Sequence, residues 1–186
     1  GLAVTFTHKP AVTSVTTTIK WDDAENQDGI RPASVTLQLK ADGEAASEDI
    51  TVKADANGNW TKTWNNLPVN KAGAVGQKVT YTVEQTGLRS EYTQATAGDA
   101  TTGFTITNSY TPKGVDIAVS ANWDDQDNQD GIRPEAVEAE LYADNVSTNK
   151  KVRLTADTDW KATFEKLAVN KNGKPVNYTL QATKVD

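Results

Sequence analysis

Two acidic stretches carry the side chains best suited to chemistry. Each runs from Trp-Asp-Asp to Gly-Ile-Arg-Pro, over residues 21–32 and again over residues 123–134. Carboxylates spaced this closely suggest a calcium loop, most of all in residues 125–131. Such a loop needs Gly at its sixth place and Glu at its twelfth, where this chain has Asp130 and Ala136. The sequence therefore favours an acidic turn that ties down its own backbone, with no metal and no cofactor.

The other residue types exclude most kinds of catalytic site. The chain has one His and no Cys, which removes thiol nucleophiles and zinc–thiolate sites and leaves a histidine triad without support. The 19 Lys and Arg are scattered among 25 acidic residues, which argues against nucleic acid as a partner. No apolar run approaches the length of a membrane span. We expect a protein that is not an enzyme and that binds neither nucleic acid nor membrane.

The chain is built from a repeat that is cut out of phase. The second acidic stretch follows the first by 102 residues, from Trp21 to Trp123. At the same offset, residues 1–10 lie over residues 103–112, so the chain begins with what is the last strand of a repeat. This period predicts an N-terminal strand over residues 1–10, a first domain over 11–112 and a second, incomplete domain over 113–186.

The hydrophobic pattern has a period of two almost everywhere. Alternating apolar and polar residues occur at 35–39, 60–64, 79–83 and 104–107, and in the second repeat at 137–141 and 176–180. Turn pairs such as Asp42-Gly43, Asn57-Gly58 and Asn172-Gly173 separate these runs. Short strands at this spacing predict an all-β chain of two tandem antiparallel β-sandwiches.

The Trp-Asp-Asp-x-x-Asn-Gln-Asp-Gly-Ile-Arg-Pro block, with Val-Thr-Leu-Gln-Leu-x-Ala-Asp-Gly beyond it, resembles the collagen-adhesin B-type (Cna B) repeat. Further matches are Tyr81-Thr82-Val83-Glu84 and Ile106-Thr107-Asn108-Ser109-Tyr110. The resemblance implies immunoglobulin-like, transthyretin-like sandwiches. It also implies an extracellular location, in the stalk of an adhesin or pilus on the surface or cell wall of a Gram-positive bacterium.

The same resemblance implies positions for a self-made cross-link. In many members of the family a first-strand Lys attacks a last-strand Asn, and an acidic residue shuttles the proton. The Lys position is Ile19 in the first repeat and Ala121 in the second. Glu84 and Asn108 match the shuttle and the acceptor in the first repeat. In the second repeat Gln181 takes the shuttle position, so we expect no isopeptide bond in either repeat.

A missing last strand in the second repeat would leave an open sheet edge, which residues 1–9 match. Leu2, Val4 and Phe6 give this segment one apolar face and make it a candidate donor strand. Donated to a neighbouring molecule, the segment would bring Phe6 to the acceptor position, facing Ala121. Such a contact does not close, so its repetition predicts a head-to-tail filament.

Three functions stay open at this point. The chain is a subunit of a surface fibre that assembles by strand donation, or an excised stalk fragment of a multi-repeat adhesin anchored to the cell wall. In both cases it is a non-enzymatic extracellular structural module whose partner is itself or a neighbouring repeat. The third is a ligand-binding adhesin domain whose partner is a host surface or matrix molecule.

Overall fold

The computed structural model describes residues 1–185, which form fifteen strands and one short 3-10 turn. The first eight strands are β1 Val12–Asp22, β2 Val35–Ala41, β3 Glu44–Ala45, β4 Ile50–Val52, β5 Trp60–Pro68, β6 Tyr81–Thr86, β7 Thr93–Asp99 and β8 Gly103–Ser109. The other seven are β9 Gly114–Ser120, β10 Ala136–Ala143, β11 Val146–Thr155, β12 Lys161–Ala168, β13 Asn170–Lys171, β14 Lys174–Pro175 and β15 Tyr178–Val185. The 3-10 turn is Ala156–Thr158. The predicted all-β fold class is confirmed.

The chain divides into two compact units. Unit 1 contains residues 1–25 and 30–111, and unit 2 contains residues 26–29 and those from Pro112 onward. The offset of 102 residues makes β1 equivalent to β9 and β2 equivalent to β10. Each strand of unit 2 can therefore be compared with a strand of unit 1.

Unit 1 is a sandwich of two sheets. One has the order β5-β1-β8-β7, and in the other β2 lies between β4 and β6 and also pairs with β3. β1 is antiparallel to β5 but parallel to β8, so this sheet of the predicted antiparallel sandwich also contains one parallel pair. The side chains that alternate inward form one core: Val15, Ile19, Val35, Leu37, Leu39, Val52, Trp60, Trp64, Tyr81, Phe104 and Ile106.

Unit 2 repeats this plan with fewer strands. One sheet has the order β11-β10-β15, β9 pairs with β12, and β13 pairs with β14. Its core consists of Val119, Ala139, Leu141, Leu154, Trp160, Phe164 and Leu167. Within residues 1–185, unit 2 has no counterpart of β7 or β8.

Residues 1–11 form no strand in the single chain, unlike the expected N-terminal strand. The apolar side chains of this segment are exposed, at 105% for Leu2, 76% for Val4 and 91% for Phe6. A lone extended segment has no ladder of hydrogen bonds, because each strand needs a neighbour to pair its backbone groups.

Candidate functional site

The cross-link positions of unit 1 hold a neutral amide cluster. Asn108 is fully buried on β8, and its Oδ1 accepts a hydrogen bond of 2.8 Å from Gln85 Nε2. The Asn108 amide nitrogen donates in return to Gln85 Oε1 at 3.4 Å, and Gln85 Nε2 also donates to Gln94 Oε1 at 3.0 Å. Ile19 pairs with Ile106, two residues before Asn108 on β8, and is 4% exposed. None of these side chains is an amine that could attack Asn108 or an acid that could shuttle a proton.

The assignment of Glu84 as the residue beside Asn108 is wrong by one position. Glu84 forms an ion pair with Lys40, and its side chain is 51% exposed. Successive residues of a strand point to opposite faces, so the inward residue of this pair is Gln85, which is 7% exposed. The resemblance to the family identified the correct strand, but it assigned the residue that points away from the core.

The first acidic stretch folds back on itself in an ion pair whose carboxylate is buried. Asp23 is 1% exposed, and its carboxylate accepts from Arg31 Nε at 2.9 Å and from Arg31 Nη2 at 2.5 Å. The Tyr92 hydroxyl donates to the same carboxylate at 2.8 Å. Arg31 also lies over the Trp21 ring, 5.2 Å from its centroid. Desolvation and then the hydrogen bond to Asp23 raise the pKa of Tyr92, and the hydrogen bond to Asp23 raises the pKa of Arg31.

Unit 2 has the same ion pair in a more open setting. Arg133 donates to Asp125 from Nε at 2.9 Å and from Nη2 at 2.5 Å, and it lies 5.0 Å from the Trp123 ring centroid. The Asp125 side chain is 29% exposed, whereas that of Asp23 is fully buried. The hydrogen bond from Arg133 lowers the pKa of Asp125. The sequence predicted both acidic turns but not the ion pair between Asp and Arg, although Arg-Pro ends both copies of the stretch.

Residues 1–185 contain no cluster of possible metal ligands and no helix suited to span a membrane. No three His, Cys, Asp or Glu side chains in this part of the chain are placed to hold a metal ion. No helix among the same residues has the length and apolar composition to span a membrane.

Among the described residues, one edge of β9 in unit 2 has no paired strand. In unit 1, β1 is hydrogen-bonded on both sides, to β5 and to β8. Its equivalent β9 pairs with β12, and no described strand lies on its other side. An edge of this kind presents unpaired backbone N–H and C=O groups to any extended segment.

The sheet that faces this edge leaves apolar side chains exposed. In β15 the inward residues Leu180 and Ala182 pair in register with Leu141 and Ala139 of β10. Leu180 is 43% exposed and Ala182 is also exposed, whereas Gln85 at the position equivalent to Ala182 is 7% exposed. Within the described residues, no strand covers these side chains in unit 2, whereas β8 covers Gln85 in unit 1.

The assignment of Gln181 as the shuttle position of unit 2 needs the same correction as Glu84. Gln181 is exposed and pairs with Glu140, on the face away from the core. Gln85 pairs with Leu37, and the equivalent pair in unit 2 is Ala182 with Ala139. The residue that faces the open slot is therefore Ala182. Ala121 keeps its predicted inward position and packs against the unit 2 core.

Comparison with known proteins gives one consistent result. The Cna protein B-type domain model matches residues 15–109 and again residues 117–186. The collagen adhesin of Staphylococcus aureus is 38% identical over 180 residues, which cover 97% of this chain and 15% of that protein.

Two solved structures of Staphylococcus aureus repeat units are also similar to this chain. The crystal structure of two B repeat units of its collagen binding protein has a TM-score of 0.85 and 38% identity, and the match covers 95% of this chain and 46% of that one. A single B repeat unit of the collagen binding surface protein is 34% identical, with a TM-score of 0.44 and coverage of 94% and 87%. This chain thus spans less than half of the two-repeat structure and about a seventh of the full adhesin.

Proposed function

Because the chain belongs to the Cna protein B-type domain family, we propose that it is a non-enzymatic structural module of an extracellular surface fibre. The module lies in a stalk or fibre at the cell surface or cell wall of a Gram-positive bacterium. Its partner is a second copy of itself. The absence of an amine or acid at Ile19, Gln85 and Asn108 supports a sandwich held by packing and hydrogen bonds, without an isopeptide bond.

The observation that carries the assembly is the open edge of β9. β9 is paired on one side, while its equivalent β1 is paired on both. Residues 1–9 are the counterpart, 102 residues earlier, of the segment that contains β8. We propose that this segment of one chain adds to the β9 edge of the next, so that chains join head to tail.

The donated segment has the pattern that the edge requires. Leu2, Val4 and Phe6 alternate with other residues and are largely exposed in the single chain. In an added strand these three side chains would face the core, and Ala3 and the threonines at positions 5 and 7 would face away from it. Burial of three exposed apolar side chains contributes about 1.5–3 kcal/mol for each, before the cost of ordering the segment.

Light scattering over a concentration series, with negative-stain microscopy, tests this assembly. We expect the purified chain to form filaments and Phe6→Asp to abolish them, because the new carboxylate would enter an apolar slot. Thr5→Asp is the matched control, since it places the same charge on the outward face of the same segment. Filaments that persist in Phe6→Asp would show that residues 1–9 do not join the chains.

A stalk repeat within a longer surface protein is the second candidate. This chain covers 46% of a structure that contains two B repeats, so its length is close to that of one repeat. This length favours the stalk. In that case the second copy belongs to the same polypeptide and completes unit 2 without polymerisation. A nine-residue peptide with the sequence of residues 1–9 distinguishes the two. Peptide binding to dispersed monomers supports the stalk, whereas filaments that the peptide caps support the fibre.

A further inference from the structure

We infer that Phe6 of a second copy determines which strand unit 2 accepts, because Ala182 leaves space for it where unit 1 has Gln85. This inference rests on the strand donation proposed above and names the residues that make it selective. The occupant is residues 1–9 of another copy of this chain. The closed unit 1 is the template for the open unit 2.

The register between β1 and β8 places the donated side chains. Phe104 pairs with Thr17, Ile106 with Ile19 and Asn108 with Trp21. Moved by the repeat offset, the same register places Leu2 opposite Val119, Val4 opposite Ala121 and Phe6 opposite Trp123. The sequence-based expectation that Phe6 faces Ala121 is therefore corrected by one inward position. Val119 lies in β9, and Ala121 and Trp123 follow the end of that strand; all three are buried or half-buried in unit 2. The donated side chains therefore meet apolar partners along their whole length.

At one position the facing sheet carries a smaller side chain in unit 2 than in unit 1. In unit 1, Asn108 meets Gln85, and their amides hydrogen-bond to each other at 2.8 Å. In unit 2 the equivalents are Phe6 and Ala182. A larger apolar side chain on the strand is thus matched by a smaller one on the facing sheet. Volume-conserving exchanges of this kind keep a core densely packed.

The two arrangements also exclude each other. A Phe at position 108 would collide with Gln85 and leave its amide without the Asn108 partner inside the core. An Asn at position 6 would bury an amide beside Ala182, which has no side-chain group to pair with it. Each slot therefore favours its own strand by fit and rejects the other by mismatch.

Peptide binding to the full chain tests this selectivity. The acceptor is the Phe6→Asp chain, whose own N-terminal segment cannot compete. The probes are fluorescent peptides of residues 1–9, unsubstituted or carrying Phe6→Leu, Phe6→Ala or Phe6→Asn. We expect affinity to fall in that order, with Phe6→Ala costing about 100-fold, since truncation of a buried Phe is among the largest core losses.

The exchange should be reciprocal. Ala182→Gln in the acceptor should lower its affinity for the unsubstituted peptide by at least about 10-fold and raise its affinity for the Phe6→Asn peptide. The two changes should therefore be strongly coupled in a double-mutant cycle. Gln181→Ala is the matched control, because it alters the neighbouring outward residue and should leave both affinities unchanged. Binding of the Phe6→Asn peptide also shows that the Ala182→Gln chain is folded.

Three outcomes would overturn the inference or its basis, and they differ. If no peptide binds the acceptor, the strand donation itself is wrong. If the unsubstituted, Phe6→Leu and Phe6→Ala peptides bind equally well, donation stands but Phe6 does not select. If a peptide of residues 103–111 binds unit 2 more tightly than residues 1–9 do, the slot has no preference for this segment.

Discussion

The Trp-Asp-Asp to Arg-Pro stretch occurs twice, with the same local geometry and different burial. In both copies the Arg donates to the second Asp at 2.9 and 2.5 Å and lies about 5 Å from the Trp ring. In unit 1 the Tyr92 hydroxyl donates to Asp23, whose side chain is fully buried. In unit 2 no described aromatic hydroxyl reaches Asp125, and its side chain is 29% exposed. Local sequence builds the ion pair, and the strands that follow in the chain decide how far it is buried.

Removing each of the two carboxylates in turn should give the largest difference in stability between the units. Asp23→Ala leaves Arg31 and the Tyr92 hydroxyl without their shared acceptor, and we expect the free energy of unfolding of unit 1 to fall by about 3 kcal/mol. Asp125→Ala should destabilise unit 2 far less, because water already reaches that carboxylate. Hydrogen–deuterium exchange with mass spectrometry on the full chain follows each unit separately. Equal losses in the two units would show that burial does not set the contribution of this pair.

The buried amide cluster should show an intermediate effect that unit 2 lacks. Gln85→Ala leaves the Asn108 amide buried without its partner, and we expect the free energy of unfolding of unit 1 to fall by about 2 kcal/mol. Glu84→Ala is the matched control on the outward face, where the ion pair with Lys40 contributes at most about 1 kcal/mol. The same exchange measurement reads both variants. If Glu84→Ala were the more damaging change, the inward assignment of Gln85 would be wrong.

The stabilities of the two units should also differ at high pH, but by a smaller amount. Burial raises the pKa of Tyr81 in unit 1 and of Tyr178 in unit 2, which are equivalent, and that of Tyr92 in unit 1 alone. A raised pKa means that these tyrosines favour folding below pH 10, their ordinary pKa, and that this contribution declines as pH rises above it. Each such tyrosine adds a slope of up to about 1.4 kcal/mol per pH unit.

Unit 1 should therefore lose stability more steeply than unit 2 above pH 10. Tyr92→Phe should remove the excess, because Phe cannot ionise, while it leaves the slope of unit 2 unchanged. Exchange rates corrected for their intrinsic pH dependence provide the measurement. A steep alkaline loss that persists in Tyr92→Phe would place its origin in another group of unit 1.

Much of the fold could be predicted because period-two alternation repeats along the chain. The runs at Val35, Trp60, Val79 and Phe104 lie within or next to observed strands, and Trp60 and Trp64 are core residues as the alternation indicates. The parallel pairing of β1 with β8 could not be predicted this way, since both orientations give the same alternation. It depends on the order in which distant strands come together.

The candidate site was predicted less completely. The positions of Ile19, Asn108 and Ala121 were implied by the resemblance to the Cna B repeat, and all three side chains face a core in the structure. Glu84 and Gln181 were each placed one residue away from the inward position, because a motif match fixes a strand to within a residue and a shift of one residue reverses the face. The Asp23–Tyr92 contact joins residues 69 positions apart and left no local signal.

The sequence by itself determined the two-unit plan, the strand pattern and the ion pair in each copy of the acidic stretch. These depend on residues close together in the chain, where side-chain alternation and turn residues act directly. Only the tertiary structure decided which of two neighbouring strand residues faces the core and how deeply each ion pair is buried. Those properties depend on contacts between strands far apart in sequence, and unit 2 lacks two of those strands within the described residues.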